Sequence, residues 1–293
     1  MHPCSVLFVY CVNESSFRMK KTIFLIFPVV VILASCSAEW KLANRYAQES
    51  DKVSLMYLSA DNLFADYLPT WPIEDYDSLD EYGQDSARLA NSLIIKQINQ
   101  NDFFATFNES FVKELRRYGV QVFTEAQMEA FQLVEGEQWM VNLAQVEIEE
   151  TIMSYHDEEV LNGMLYTYDF PVNQVTFSSW FEFSPLNIPE NKSQKVLFAS
   201  YNVTDKYQGY FTQNFLTGEV GYFLDIDTLD MTAFKNNVSF LGRLYAGYTF
   251  DYLMNHYLKK QIPDGNRSGK YLRYDPYRRL LFSTENDRFE PLD

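Results

Sequence analysis

Side chains able to do chemistry are few in this 293-residue chain, and they lie far apart. His156 stands beside Asp157, Glu158 and Glu159, a setting expected to be a turn with a solvated or locally paired imidazole. His256 follows Leu253 by three residues in a helical pattern and is expected to fill or edge the core. Neither has a second histidine four residues away, so there is no H-E-x-x-H zinc site. Cysteine occurs only at Cys4, Cys11 and Cys36, which leaves no thiolate nucleophile beyond position 36. Serine catalysis on a strained G-x-S-x-G turn has no matching pattern, nor do the phosphate loops G-x-G-x-x-G and G-x-x-x-x-G-K-[ST]. A glycosidase-type carboxylate pair carries no weight here, because among 40 acidic residues some pair always lies close. No catalytic residue, metal ligand or cofactor is assigned.

Two weaker signals are better explained by structure than by chemistry. Glu74, Asp75, Asp77, Asp80, Glu81 and Asp85 crowd one loop, and Asp75-x-Asp77 opens like a calcium loop. Calcium loops need a turn glycine and a late glutamate, and neither follows, so a solvated acidic loop is expected. Trp71, Trp139, Trp180 and the many tyrosines could stack on sugar rings, yet most fall on alternating or helical apolar positions and read as core.

Cys36 has a different setting. Lys20 and Lys21 precede an apolar run from Ile23 to Leu33, and Leu33-Ala34-Ser35-Cys36 closes it. A basic start, a short apolar centre and small residues before a cut describe a secretory signal, not a helix of the roughly 20 residues that spans a bilayer. The segment resembles the lipobox signal of bacterial lipoproteins. That resemblance implies cleavage between Ser35 and Cys36, acyl chains on Cys36, and residues 1–35 as a signal segment. Met19-Lys20-Lys21 is the usual opening of such signals, so translation is expected to start at Met19. Ser37 stands where many inner-membrane lipoproteins of Gram-negative bacteria carry Asp, which implies sorting to the outer membrane. The short acidic export signals of some Bacteroidota lipoproteins are not evident in Ser37-Ala38-Glu39-Trp40-Lys41, so the domain is expected to face the periplasm. The six N-x-[ST] sequons, at Asn13, Asn108, Asn191, Asn202, Asn237 and Asn266, are then chance occurrences.

The whole chain carries 24 basic and 40 acidic residues; without residues 1–35, which hold three bases and one acid, 21 face 39, a net charge of −18. Such a surface repels phosphate backbones, so no nucleic-acid partner is expected. It also offers no polybasic patch for anionic lipid, which leaves attachment to the acyl chains, and two or more of those anchor stably. With 47% hydrophobic and 17% aromatic residues the remainder can bury a large core.

Periodicity supplies the elements that must hold these residues. Residues 36–50 read as a lipidated tether, with Trp40, Leu42, Ala43, Tyr46 and Ala47 at helical spacing for docking on the domain. Val53 to Leu58 reads as a buried strand, and residues 59–84 as a long loop. A helix is expected between Asp85 and Asn99, then one with Asp102 as cap, a stripe of Phe104, Phe107, Phe111, Leu115 and Tyr118, and Gly119 as stop. Val120 to Phe123 is a strand, and Thr124 with Gln127 makes a capping box for a short helix through Phe131. From Gln138 the pattern alternates, as in antiparallel strands, with hairpin turns at Asn162-Gly163 and Thr217-Gly218. Strands are expected at Lys195 to Val203, Tyr210 to Leu216 and Val220 to Leu224. A long helix from Asp227 or Thr228 to Lys260 follows, interrupted at Asn236-Asn237, then a terminal hairpin around Asp275-Pro276.

The expectation is a single α+β domain over residues 51–293: a mixed sheet with an N-terminal βαβ-like half, an antiparallel second half and a long C-terminal helix. A boundary near residues 154–163 is the alternative. In element order the first half is similar to the α/β domains of periplasmic envelope proteins such as the TolB N-terminal domain. The expected role is a non-enzymatic binding or assembly component of the cell envelope, held to the membrane through Cys36 and working with an envelope protein partner. The alternative is a lipid-anchored glycan-binding protein or hydrolase.

Overall fold

A computed structural model describes residues 38–49, 53–68, 73, 75–186, 195–285 and 287–292. It opens with a helix, α1, over residues 38–48. The first half continues with β1 (Val53–Leu58), β2 (Leu63–Leu68), α2 (Glu81–Asn91), α3 (Gln100–Arg117), β3 (Gln121–Thr124) and α4 (Met128–Gln132). The second half holds β4 (Glu137–Leu161), β5 (Met164–Pro185), β6 (Lys195–Thr204), β7 (Lys206–Gln213), β8 (Val220–Asp227), α5 (Met231–Gln261), β9 (Tyr271–Asp275), β10 (Leu280–Thr284) and β11 (Glu290–Leu292).

The fold is α+β. One mixed sheet runs in the order β11, β6, β5, β4, β1, β3, and β2 joins β4 beyond the end of β1. β1 lies parallel to both β3 and β4, whereas β4, β5, β6 and β11 are antiparallel. This is the βαβ-like first half and antiparallel second half expected from the periodicity, backed by the long helix α5.

One face of the sheet is covered by α3 and α5. The α3 stripe is buried throughout, with Phe111 stacked on Phe181 of β5 and tilted against Tyr57 of β1. Asn99 caps α3 by accepting from the Asp102 amide, so the cap stands three residues earlier than expected. Gly242 explains how closely α5 approaches α3, since a Cβ there would lie 2.6 Å from the Phe107 carbonyl. The glycine is a packing requirement between two helices. On β4 the core-facing residues Trp139, Val141 and Leu143 give way to Val146, Ile148 and Glu150. A bulge between Leu143 and Gln145 absorbs the change of phase, so one face stays inward up to Glu150.

Several local expectations are corrected. The stretch read as a long loop contains β2, which finds its partner only in residues 146–151 of β4. The helix expected between Asp85 and Asn99 starts at Glu81 on an Asp80 cap and stops at Asn91. The Ser92 hydroxyl bonds the Leu89 carbonyl, and the next three amides turn to Glu150. Asn236-Asn237 does not interrupt α5, because the Asn237 amide bonds back to the Ala233 carbonyl within the helix. β11, at the end of the chain, was not expected at all. The capping box at Thr124 and Gln127 is present.

Residues 154–163 lie within β4 and its turn. There the antiparallel β4–β5 pair runs on beyond the helices to the turn at Asn162-Gly163, both at positive φ. From Ile152 to Leu161 this arm extends about 30 Å. The β7–β8 hairpin lies along it: Tyr207 meets Tyr155 and Phe170, Phe211 meets Tyr166, and Tyr222 stacks on Tyr168 at 4.2 Å. The two turns end together, with Asn162 Nδ2 donating to Gln213 Oε1 at 3.0 Å.

Phe111→Ala removes a fully buried ring between α3 and the sheet and is expected to cost about 3–5 kcal/mol. Chemical denaturation of the purified protein reads it directly, and an unchanged midpoint would show that the stripe is not core.

Candidate functional site

A groove of about 470 Å³ lies between the end of α3, the middle of α5 and the β9–β10 hairpin. Its floor is set by helix spacing: Glu114 and Tyr118 come from the last turns of α3, and Leu244, Gly247, Tyr248 and Asp251 from successive turns of α5. Tyr118 can lie against α5 because Gly247 stands opposite its hydroxyl, 3.0 Å from where a Cβ would be. The hairpin supplies the outer wall with Arg273, Tyr274, Asp275, Tyr277 and Phe282.

Two carboxylates are buried in this groove, and both already have partners. Glu114 Oε2 accepts from the Tyr277 hydroxyl at 3.2 Å and pairs with Arg117 at 2.9 Å, and Arg117 in turn lies over the Tyr277 ring. Asp251 Oδ1 accepts from the Tyr274 amide at 2.9 Å, which pins β9 to α5, and Oδ2 lies 3.7 Å from Arg273 Nε. Burial pushes the Asp251 carboxyl well above its ordinary pKa, against the opposing pull of the Tyr274 amide and Arg288. A general acid–base pair needs faces open to a substrate, and these carboxylates spend theirs on the fold.

The residues singled out from the sequence are scattered. Cys36 and Ser35 lie outside the described residues, as does Trp71. The described chain begins at residue 38, and α1 docks at once: Glu39 is buried and accepts from the Ser268 amide, while Tyr46 packs on Phe250 and Tyr257. His156 is on the β4 arm, not in a turn, and its Nδ1 lies 2.7 Å from Asp169 Oδ1 on the facing strand. That hydrogen bond raises the imidazole pKa. His256 is half-buried edge-on against Trp139 at 4.8 Å, and burial lowers its pKa, which favours the neutral core imidazole expected. Trp139 is core, and Trp180 packs on Phe198 on the other face of the sheet. Asp75 and Asp77 sit in a short 3-10 turn. Among the described residues no cluster of three or more His, Cys, Asp or Glu is placed to hold a metal ion. The groove itself was missed, because its α3 segment lies more than a hundred residues before the α5 and hairpin segments that complete it.

No protein-family model matches the chain, and a search of the curated proteins finds no match either.

Asp251→Asn keeps an acceptor for the Tyr274 amide and removes the buried charge. A carboxyl whose pKa rises on folding favours the protonated fold, so its contribution to stability declines as pH climbs past the ordinary carboxylate range. The variant's melting temperature relative to wild type is therefore expected to rise from pH 5 to pH 8, read by thermal denaturation across that range. A difference that does not vary with pH would refute the assignment.

Proposed function

We propose that the protein is a lipid-anchored component of a Gram-negative cell envelope, attached through acyl chains on Cys36 and acting by binding or assembly, not by catalysis. The observation that carries this is the relation between motif and fold. The lipobox-like Leu33-Ala34-Ser35-Cys36 ends two residues before α1, and α1 is already committed to the core at Glu39, Ala43 and Tyr46. A mature chain starting at Cys36 would keep every described element and would hold the body within a few residues of the lipid. The absence of a polybasic surface agrees with an anchor that relies on acyl chains alone. By resemblance the destination is the outer membrane, with the body facing the periplasm and an envelope protein as partner.

The glycan-binding reading comes second. It draws on the groove, where Tyr277 and Phe282 expose ring surface beside Arg243. A hydrolase is disfavoured because Glu114 and Asp251 are held by Tyr277, Arg117 and Tyr274. A saturable thermal shift with an oligosaccharide would bring this reading forward.

Cys36→Ser is expected to abolish incorporation of a clickable palmitate in producing cells, and label retained on the variant would sink the anchor. Protease added to intact cells is expected to leave the wild-type protein whole. Digestion would place the body outside the outer membrane.

A further inference from the structure

The end of the β arm is the most exposed apolar surface among the described residues. Phe215 and Leu216, in the β7–β8 turn, are 97% and 89% exposed. The bond from Asn162 to Gln213 sets them beside Val160, Met164 and Leu165 of the β4–β5 turn, each about 60% exposed. A cluster of this kind on a projecting element marks a docking surface. Its surroundings restrict what can dock. Residues 151–172 and 207–227 contain no lysine or arginine, while Glu158, Glu159 and Glu219 stand next to the turns. An apolar tip with an acidic collar is repelled by an anionic bilayer, and it fits an apolar recess with a basic rim.

The groove on the body is such a recess. It presents Phe240, Tyr277 and Phe282, all exposed; Arg243 lines it and Arg279 follows Tyr277 by two residues in the hairpin turn, while its acids Glu114, Asp251 and Asp275 are paired with Arg117, Arg273 and Arg278. Neither Arg243 nor Arg279 has a carboxylate partner among the described residues, in a chain where acids outnumber bases by 40 to 24. The tip cannot reach the groove of its own chain. β7 runs outward from Asp205 at the start of α5, and the aromatic contacts of Tyr207 with Tyr155 and Phe170 hold it along the arm. The groove lies further down α5, where Phe240 to Asp251 line it.

We infer that the arm tip of one copy docks in the aromatic, arginine-rimmed groove of a second copy. The contact is heterologous: tip and groove are different surfaces, so a docked pair keeps one free tip and one free groove, and the arrangement extends into a row unless its rotation closes a ring. Phe215 and Leu216 fill the recess between Phe240 and Tyr277, and the collar glutamates meet Arg243 and Arg279. This goes beyond the anchor reading and holds whether or not Cys36 is acylated. The contact is expected to be small and salt-sensitive, strongest where copies are concentrated on one surface.

Disulfide trapping between full-length copies in the cells that make them tests it. One copy carries Phe215→Cys and the other Tyr277→Cys, with the parent chain setting the background from Cys4, Cys11 and Cys36. The expected result is an oxidised dimer several-fold above background for the mixed pair, above either variant alone. Arg243→Glu combined with Arg279→Glu on the groove copy should lower that yield several-fold. Leu133→Cys, exposed at the end of α4 and part of neither surface, should give background with Phe215→Cys. Absence of the mixed dimer would overturn the proposal, and so would a yield matched by the Leu133→Cys pair or unmoved by the charge reversal. So would a photoreactive residue at 215 that labels only lipid or an unrelated protein. Palmitate labelling of the same cells reads the anchor separately, so failure of one proposal is not mistaken for failure of the other.

Discussion

The fold turns on a carboxylate with no access to water. Glu150 is fully buried at the point where the sheet leaves the helices, and a buried charge persists only if its hydrogen bonds are met. Here they are met by the backbone amides of Leu93, Ile94 and Ile95 and by Asn173 Nδ2. The donors come from the turn after α2 and from β5, so one side chain ties the first half of the chain to the second. Asn173 continues the network: its amide donates to Asp205 Oδ2, whose other oxygen accepts from Leu229 just before α5. Strand pairing, the base of the arm and the start of the long helix are fixed at one place. Up to residue 150 β4 serves a core, and past it the same strand serves an arm.

How much of this the sequence carried depends on how local each cause is. The α3 stripe from Phe104 to Leu115 is legible because helix periodicity and one covered face produce it together. The Asn162-Gly163 turn is legible because few residues tolerate positive φ at both positions. β2 is not, since Leu63–Leu68 becomes a strand only by pairing with a segment some eighty residues later. The arm was legible only in part as strands, and not as an arm. Alternation is clear from Val146 to Ile152, but Ser154 to Glu159 read as a turn, and only the pairing with β5 carries the strand on to Leu161; local pattern does not record which partner is present. For the same reason Phe215 and Leu216 read as the end of a strand, although they form an exposed turn.

The groove shows the same limit from the other side. Glu114, Asp251 and Tyr277 belong to unremarked stretches of three elements, and only packing brings them together. Gly242 and Gly247 were the one local trace, as glycines inside a helical pattern where each costs about 1 kcal/mol relative to alanine. They mark where α3 and Tyr118 come close to α5, and so they mark the floor of the groove.

β4 has a mechanical consequence. It is one unbroken strand of 25 residues, about 80 Å along its contour. At its start Glu137 lies 3.7 Å from Lys260 Nζ, near the pole where α1 docks; at its end Leu161 enters the outer turn. A pull on the tip away from a fixed α1 would travel along this single chain, with no loop in between to stretch. Because β4 is hydrogen-bonded to β1, β2 and β5 side by side, that load falls on the ladders as shear, shared among many bonds at once rather than opening them one after another. The protein is built as a stiff strut between its two ends.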